Sequence, residues 1–570
     1  MKGLAEALQC FDCDLNSEDR EPAAGKSRTV GKGQRGRPWT NGSMATPTNL
    51  GSRRNAAQIH ALAGVEREVR ANDPSGRRKY LRDFSNAFRS YDSILDSQQL
   101  AELIGTADVV LIGDYHALPS SQRFAAALLE QRAQPGDRRV VLGVETIFSR
   151  HQHILEEWWR REIDEGELRQ RIRFDLDWSY DWPPFYELLV TAREHAEAVY
   201  GLDCMPREDL RKIGARDRHA ADKIAEIRQR HPNAVILALF GESHLAPQHL
   251  PRRLGERLQN QRVLTVLQNV DALYWQATGA RQERVEAVRV SDDVVCVFNS
   301  TPLEKYESYR LCLSRWSQED EQQPDIGPTI YNLIDSLVGF LDVNRHASHN
   351  GTQPKFLVDL LPEVHCGTSD ARLRRLLARV TGEAEKIEGM LQKVEAQGCV
   401  YLPAINAFYV REFQITCAAE EASRFLHHAC RGLPLHRNGH AVATGDRVDR
   451  FYARTIEHAL AFLGSRVLYP ARPGISDEEA CEFSRADCDR LMQDALRGGR
   501  NKFDSLAQKL GYTLGSQLYD AYLRGCVSRS ALRHMFLARI EEPGKARSMC
   551  WEVVRKIRIG RKKPCASARE

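Results

Sequence analysis

Short, unbroken apolar runs punctuate the first half of the chain, at residues 109–112, 140–144, 198–202, 234–240 and 263–267. Runs of this length, rich in Val, Ile and Leu and without polar alternation, predict strands buried on both faces. The segments between them carry apolar residues at helical spacing, over 122–131, 153–172, 184–195 and 217–230. Strand and helix thus alternate from about residue 76 to 315. The expected fold is α/β, a mostly parallel or mixed sheet covered by helices. Two later runs, 285–290 and 294–298, read as sheet-edge strands. Beyond about residue 320 the period changes: Ile330, Leu333, Ile334, Leu337, Val338 and Leu341 stand at i, i+3, i+4, i+7 spacing. Similar patterns at 371–394, 412–431, 449–463, 477–496 and 503–523 predict an all-α region over 320–570. Residues 1–75 lack such periodicity and are rich in Gly, Ser, Arg, Asn and Pro, which predicts a disordered basic arm.

A chain of 570 residues is long enough for two or three domains, and 42% hydrophobic with 28% charged residues is a globular composition. The net charge of +4 is small for this length, so nucleic acid is not an expected partner of the whole chain. Basic charge is local. Seven Lys or Arg and no acid fall between Lys26 and Arg54, and six more between Arg555 and Lys563 form a basic C-terminal tail. The 14 Cys have no framework spacing; Cys10 and Cys13 form a lone C-x-x-C without the second pair a zinc ribbon needs. With no secretory signal and no apolar run of membrane-helix length, the expected location is cytoplasmic.

The chemistry concentrates at strand ends. Gly113-Asp114-Tyr115-His116 and Gly241-Glu242-Ser243-His244 both read Gly-acid-x-His, and each directly follows an apolar run. Glu145 and Asp203 end two further runs. In an open α/β sheet these positions share the carboxyl edge, where ligands bind. Two imidazoles with nearby carboxylates suit Zn, Mn, Fe or Co, with metal ligands His116, Glu145, His244 and Asp114. A metal so held could activate water, Glu145 or Glu242 acting as general base. The same His could ligate haem iron. The aromatic residues Phe148, Trp158, Trp159, Phe174, Trp178, Tyr180, Trp182, Phe185 and Tyr186 could wall an apolar pocket or belong to the core. No Gly-x-Ser-x-Gly and no helix-opening G-x-G-x-x-G is present, so neither a serine hydrolase nor a nucleotide cofactor is expected. His427-His428 lies in a helical stretch and reads as packing or surface.

The paired motifs with a Glu between them resemble the superfamily of ChaN-like haem-binding uptake proteins, Tiki metalloproteases and erythromycin esterases. Supporting stretches are Leu111–His116, Leu142–Glu145, Trp178–Trp182 continuing to His195, Asp217–Ala221 and Gly241–Ala246. The likeness covers roughly residues 90–310 and is nearest to ChaN. It implies an α/β domain with a mixed sheet, haem binding linked to iron handling for ChaN, and metal-dependent hydrolysis of an ester or amide for the sister branches. Carried over, His116, Glu145 and His244 form the core site, Asp114 and Glu242 are acidic neighbours, and Tyr115 is a phenolate candidate for haem iron. The chain departs from ChaN in having Asp114 where Glu is usual, Ala117, Ser120 and Ser121 where further ligands often stand, and some 250 extra helical residues. Three readings stay open: a haem or metal binder, a metal-dependent hydrolase, and a non-catalytic scaffold whose helical region binds a protein partner. A homodimer is compatible with each.

Overall fold

The computed structural model describes residues 50–72, 79–133, 138–204, 213–280, 285–316, 325–346, 357–431, 446–474, 485–540 and 542–562. Eight strands form one sheet: β1 (Ser93–Leu95), β2 (Val109–Asp114), β3 (Val140–Phe148), β4 (Ala198–Asp203), β5 (Val235–Gly241), β6 (Val263–Gln268), β7 (Ala287–Ser291) and β8 (Val294–Val297). Their order is β1-β7-β8-β6-β2-β5-β3-β4. The six strands from β8 to β4 run parallel, while β7 and β1 pair antiparallel at one edge. The sheet is therefore mixed and the fold is α/β.

The helices used below are α1 (Leu50–Asn72), α2 (Lys79–Ala87), α3 (Pro119–Arg132), α4 (Trp182–His195), α5 (Ile213–Arg230), α6 (Pro302–Trp316), α7 (Gly327–Leu341), α8 (Ile415–Arg431), α9 (Arg447–Leu468) and α10 (Arg500–Leu523). One sheet face presents Val110, Ile112, Leu142, Val144, Leu237 and Leu239 to α3 and α4. The other presents Val109, Leu111, Val141, Ile236 and Ala238 to α5 and its neighbours. Both faces of β2, β3 and β5 are covered, which is why these strands show no polar alternation in sequence.

Strand order positions the site. The chain passes from β2 over β5 to β3, then returns to place β5 beside β2, in a register that sets Asp114 opposite Gly241. The two Gly-acid-x-His turns thus leave adjacent parallel strands side by side. The β3–β4 pairing shifts register between Val144 and Phe148, a bulge that spans Glu145. Gly201 accommodates it. A Cβ there would stand 2.6 Å from the Ile147 carbonyl oxygen and 3.0 Å from the Phe148 carbonyl carbon. Both are backbone atoms, so Gly201→Ala is expected to cost about 1–3 kcal/mol. Urea unfolding of the variant checks this; an unchanged midpoint would contradict it.

The second half is helical. Helices α7 to α10 share one core with α1 and with Leu303 and Leu311 of α6. Helices α9 and α10 cross closely because Gly511 and Gly515 carry no Cβ; at Gly515 it would meet the Ala459 carbonyl oxygen at 2.4 Å. Within this half Glu363–Cys366, Cys399–Leu402 and Ala407–Val410 form a small three-stranded sheet that the helical periodicity did not announce.

Two expectations are corrected. Residues 50–72, placed in a disordered arm, form α1. Its buried Ala57, Ala61, Leu62, Val65 and Val69 make an apolar stripe that docks on α6 and α7. Residues 1–49 of that arm lie outside the described residues. The single helix over 153–172 is broken: Gln152–Trp159 ends, Arg161 adopts a positive φ of 62°, and Asp164 caps a new helix at Glu165 by accepting from the Glu167 amide.

Candidate active site at the carboxyl edge of the sheet

Two carboxylate-backed imidazoles converge on one buried carboxylate. From the β2 turn, His116 Nδ1–H donates to Asp114 Oδ2 at 2.7 Å, and its Nε2 stands 3.6 Å from Glu145 Oε2. From the turn after β5, His244 Nδ1–H donates to Asp217 Oδ1 at 2.6 Å, and its Nε2 stands 3.9 Å from Glu145 Oε1. Each acid fixes the imidazole tautomer and leaves Nε2 for chemistry. Both acids are held in turn. Gln122 of α3 donates to Asp114, and Tyr80 of α2 donates to Asp217 Oδ2 at 2.7 Å while stacking on His249. The His116 side chain is 13% exposed, His244 6% and Glu145 3%, so the cluster opens at His116.

Arg216 neutralises the centre. Its guanidinium lies 2.5 Å from Glu145 Oε1 and binds both oxygens of Asp203, at 3.0 and 2.7 Å. The Gly241 amide donates to Glu145 Oε2. Burial alone would raise the Glu145 pKa; Arg216, then His116, His244 and the Gly241 amide outweigh it and hold the carboxyl at about 2. Glu145 is therefore an anion at neutral pH.

The expected residues fare differently. His116, Glu145, His244, Asp114 and Asp203 are brought together. Glu242 is not: it turns to Lys305 of α6, 2.9 Å away, and burial pushes its carboxyl upward against that cation. Lys305 also sits over the Tyr115 ring at 4.6 Å, so one buried lysine ties both motif turns to α6. Tyr115 keeps its proton, since burial, helped by Tyr309 and Glu242, holds its phenol well above the ordinary value. Asp217, Arg216, Gln122, Tyr80 and Lys305 were not foreseen as site members. The available signals were the Asp217–Ala221 stretch that supports the resemblance and the Arg216-Asp217 pair at the start of a helix that follows a strand ending in Asp203.

The expected metal shell of His116, Glu145, His244 and Asp114 is not formed. Both Glu145 oxygens are engaged, by Arg216 and by the Gly241 amide, and both Asp114 oxygens by Gln122 and His116. A divalent ion would have to displace a guanidinium from its carboxylate. Among the described residues no group of three or more His, Cys, Asp or Glu is placed to hold a metal ion. A haem plane finds apolar rings beside His116: Trp178 and Tyr180 at 5.3 Å and Phe185 at 6.3 Å between centroids. His116 Nε2 and His244 Nε2 lie 3.6 and 3.9 Å from the Glu145 oxygens, so a haem held by either imidazole would have to share that space with a carboxylate.

The geometry defines an α/β domain with a His–Glu–His centre at the sheet's carboxyl edge, and the comparisons place it among known proteins. Residues 100–236 match the family described as haem-binding uptake, Tiki superfamily, ChaN. The resemblance read from the paired motifs thus holds for a stretch that includes His116, Glu145, Asp203, Arg216 and Asp217 and stops before Gly241–His244. A solved structure described as cofacial heme binding to ChaN of Campylobacter jejuni is similar at 15% identity, over 35% of this chain and 91% of that chain, with a TM-score of 0.26. No curated protein matches the chain. No helix among the described residues is long and apolar enough to cross a membrane.

Proposed function

We propose that the α/β domain is a hydrolase that adds water to an ester or amide by general acid–base catalysis. The observation that supports this is the pair of carboxylate-backed imidazoles directed at one ionised carboxylate. Two imidazoles on the two oxygens of Glu145 supply one group to take a proton and one to return it. His116, nearer the opening, takes the proton of the attacking water. As the tetrahedral adduct collapses, the bond from the acyl carbon to the leaving oxygen or nitrogen breaks, and the pair returns the proton to that atom. Asp114 and Asp217 hold the rings in place; Arg216 keeps Glu145 charged. No step needs a metal ion.

The test is hydrolysis of 4-nitrophenyl butyrate and an acyl 4-nitroanilide by the full chain, with and without EDTA. Turnover that survives EDTA and falls about 10²–10⁴-fold in His116→Ala is expected. Equal turnover in wild type and variant, or none in either, would refute the proposal. Loss of activity in EDTA would point to a metal-dependent hydrolase instead.

A second reading is haem binding, with haem as cargo in iron handling. It is favoured by the rings around His116 and by the family's description. It requires His116 to swing its Nε2 away from Glu145. Haemin titrated into the full chain would then give a saturable absorbance shift that the double variant His116→Ala/His244→Ala lacks. No shift, or the same shift in both proteins, would sink this reading.

A further inference from the structure

Two buried thiols meet in the helical half. Cys488 lies on the helix Arg485–Arg497 and Cys550 on the helix Lys545–Lys562, and both helices pack against α9 and α10. The two helices run antiparallel to each other. Arg547 donates to Asp489 Oδ1 at 3.2 Å, and the Arg485 guanidinium lies 4.9 Å from the centre of the Trp551 ring. Cys488 and Cys550 fall between those two contacts on the inward side, and neither is exposed. Their thiols hydrogen bond to each other, with Tyr452 of α9 near both. The bond is polarised. Together with burial it holds the Cys550 thiol well above the ordinary value, and it holds Cys488 below it. Cys488 is therefore the more readily ionised of the two and the better nucleophile. The pair lies one layer beneath the surface: Asp489, Arg547 and Trp551 are half-buried and Arg485 is exposed.

We propose that Cys488 and Cys550 are a redox-active pair that hydrogen peroxide closes to a disulfide, clipping the helix Lys545–Lys562 to the rest of the helical half. The Cys488 sulfur attacks one peroxide oxygen and the O–O bond breaks. Cys488 becomes a sulfenic acid and one water leaves. The Cys550 sulfur then attacks the Cys488 sulfur, the S–O bond breaks, and the Cys550 proton departs with the hydroxyl as a second water. The two thiols lose two electrons and two protons, and the peroxide takes them up. A small thiol reverses the reaction by exchange. The surroundings favour closure. Asp489 accepts from both Tyr452, at 2.7 Å, and Arg547, so the two helices are held together beside the sulfurs. Sulfurs already in contact need side-chain rotation, not a helix movement, to reach bonding distance. The bond would close a loop of 61 intervening residues, 489–549, which contains α10. A cross-link of that span removes freedom from the unfolded chain and so stabilises the folded one. This inference is independent of the chemistry at the sheet edge and gives the helical half a property of its own.

The test is peptide mass mapping of the full chain without reductant, before and after hydrogen peroxide. Oxidation of the exposed Cys526 gauges the dose. A linked peptide joining Cys488 to Cys550, two hydrogens lighter than its separate halves and released by dithiothreitol, is expected. The melting temperature of the native chain should rise by about 5–15 °C on oxidation and return on reduction. Cys488→Ser and Cys550→Ser, each shown to fold by circular dichroism, should lose both the linked peptide and the peroxide-induced shift. If a Ser variant does not fold, the linked peptide and the reversible shift in the native chain decide alone. No linked peptide at a dose that oxidises Cys526, Cys488 linked to a different cysteine, or a melting temperature that linkage leaves unchanged or lowers would overturn the proposal.

Discussion

Arg216→Met is expected to destabilise the protein by about 3–5 kcal/mol, because it leaves two buried carboxylates without their shared cation. Glu145 and Asp203 have side chains 3% and 0% exposed, and both rely on this guanidinium. The pH dependence has a definite sign. In the native protein Glu145 is held at about 2, below its ordinary 4.5. Its depressed pKa therefore contributes stability that is fully present above about 4.5 and is lost as pH falls through about 2. In the variant that contribution disappears, and burial instead favours the protonated acid. The deficit should thus be largest at neutral pH and shrink as the solution is acidified. Urea midpoints of both proteins at pH 7 and pH 5 measure it. Equal midpoints at pH 7, or a deficit that grows toward acid, would show that Arg216 does not carry this charge.

Gly241→Ala is expected to cut turnover about 10²-fold while leaving the fold intact. The backbone at Gly241 has φ −50° and ψ 129°, which alanine adopts without strain. The added Cβ would stand 3.0 Å from Glu145 Oε2, 3.5 Å from His116 Nε2 and 3.6 Å from His244 Cδ2, in the space the three groups enclose. It would push the imidazoles apart or exclude the reacting water. A misplacement of this size costs about 10²-fold in turnover, whereas the melting temperature should fall by no more than about 4 °C. Gly113→Ala is the control: there the nearest atom is Leu245 Cδ1 at 3.4 Å, and no site nitrogen or oxygen is close. If Gly241→Ala turned over substrate as the native protein does, the His–Glu–His cluster would not be the reacting centre.

The strands were legible because a doubly covered sheet writes itself as bare apolar runs. The edge residues His116, Glu145 and His244 could be read because they directly follow those runs. What escaped was set by partners distant in sequence. Glu242 looks equivalent to Asp114 in the repeated motif, yet Lys305, 63 residues further on, draws it aside. Asp217 and Arg216 reach the site from the start of a helix, where a charged pair ordinarily reads as solvated surface. The bulge that spans Glu145 depends on the absence of a side chain at Gly201 in the neighbouring strand, which no local pattern records. Helix α1 was hidden by the composition of the arm before it, and its apolar stripe has meaning only against α6 and α7.

That last helix imposes an order on synthesis. Asn55 of α1 bonds to Thr278, 223 residues later, and Arg53 to the Tyr522 carbonyl, 469 residues later. At ~5–20 residues per second, α1 leaves the ribosome about 10–45 s before its first of these partners and about 25–95 s before the second. Through that interval Ala57, Ala61, Val65 and Val69 have nothing to pack against. This stripe of α1 is therefore among the stickiest segments of the nascent chain, and a cell making this protein must shield it until residue 522 has been added.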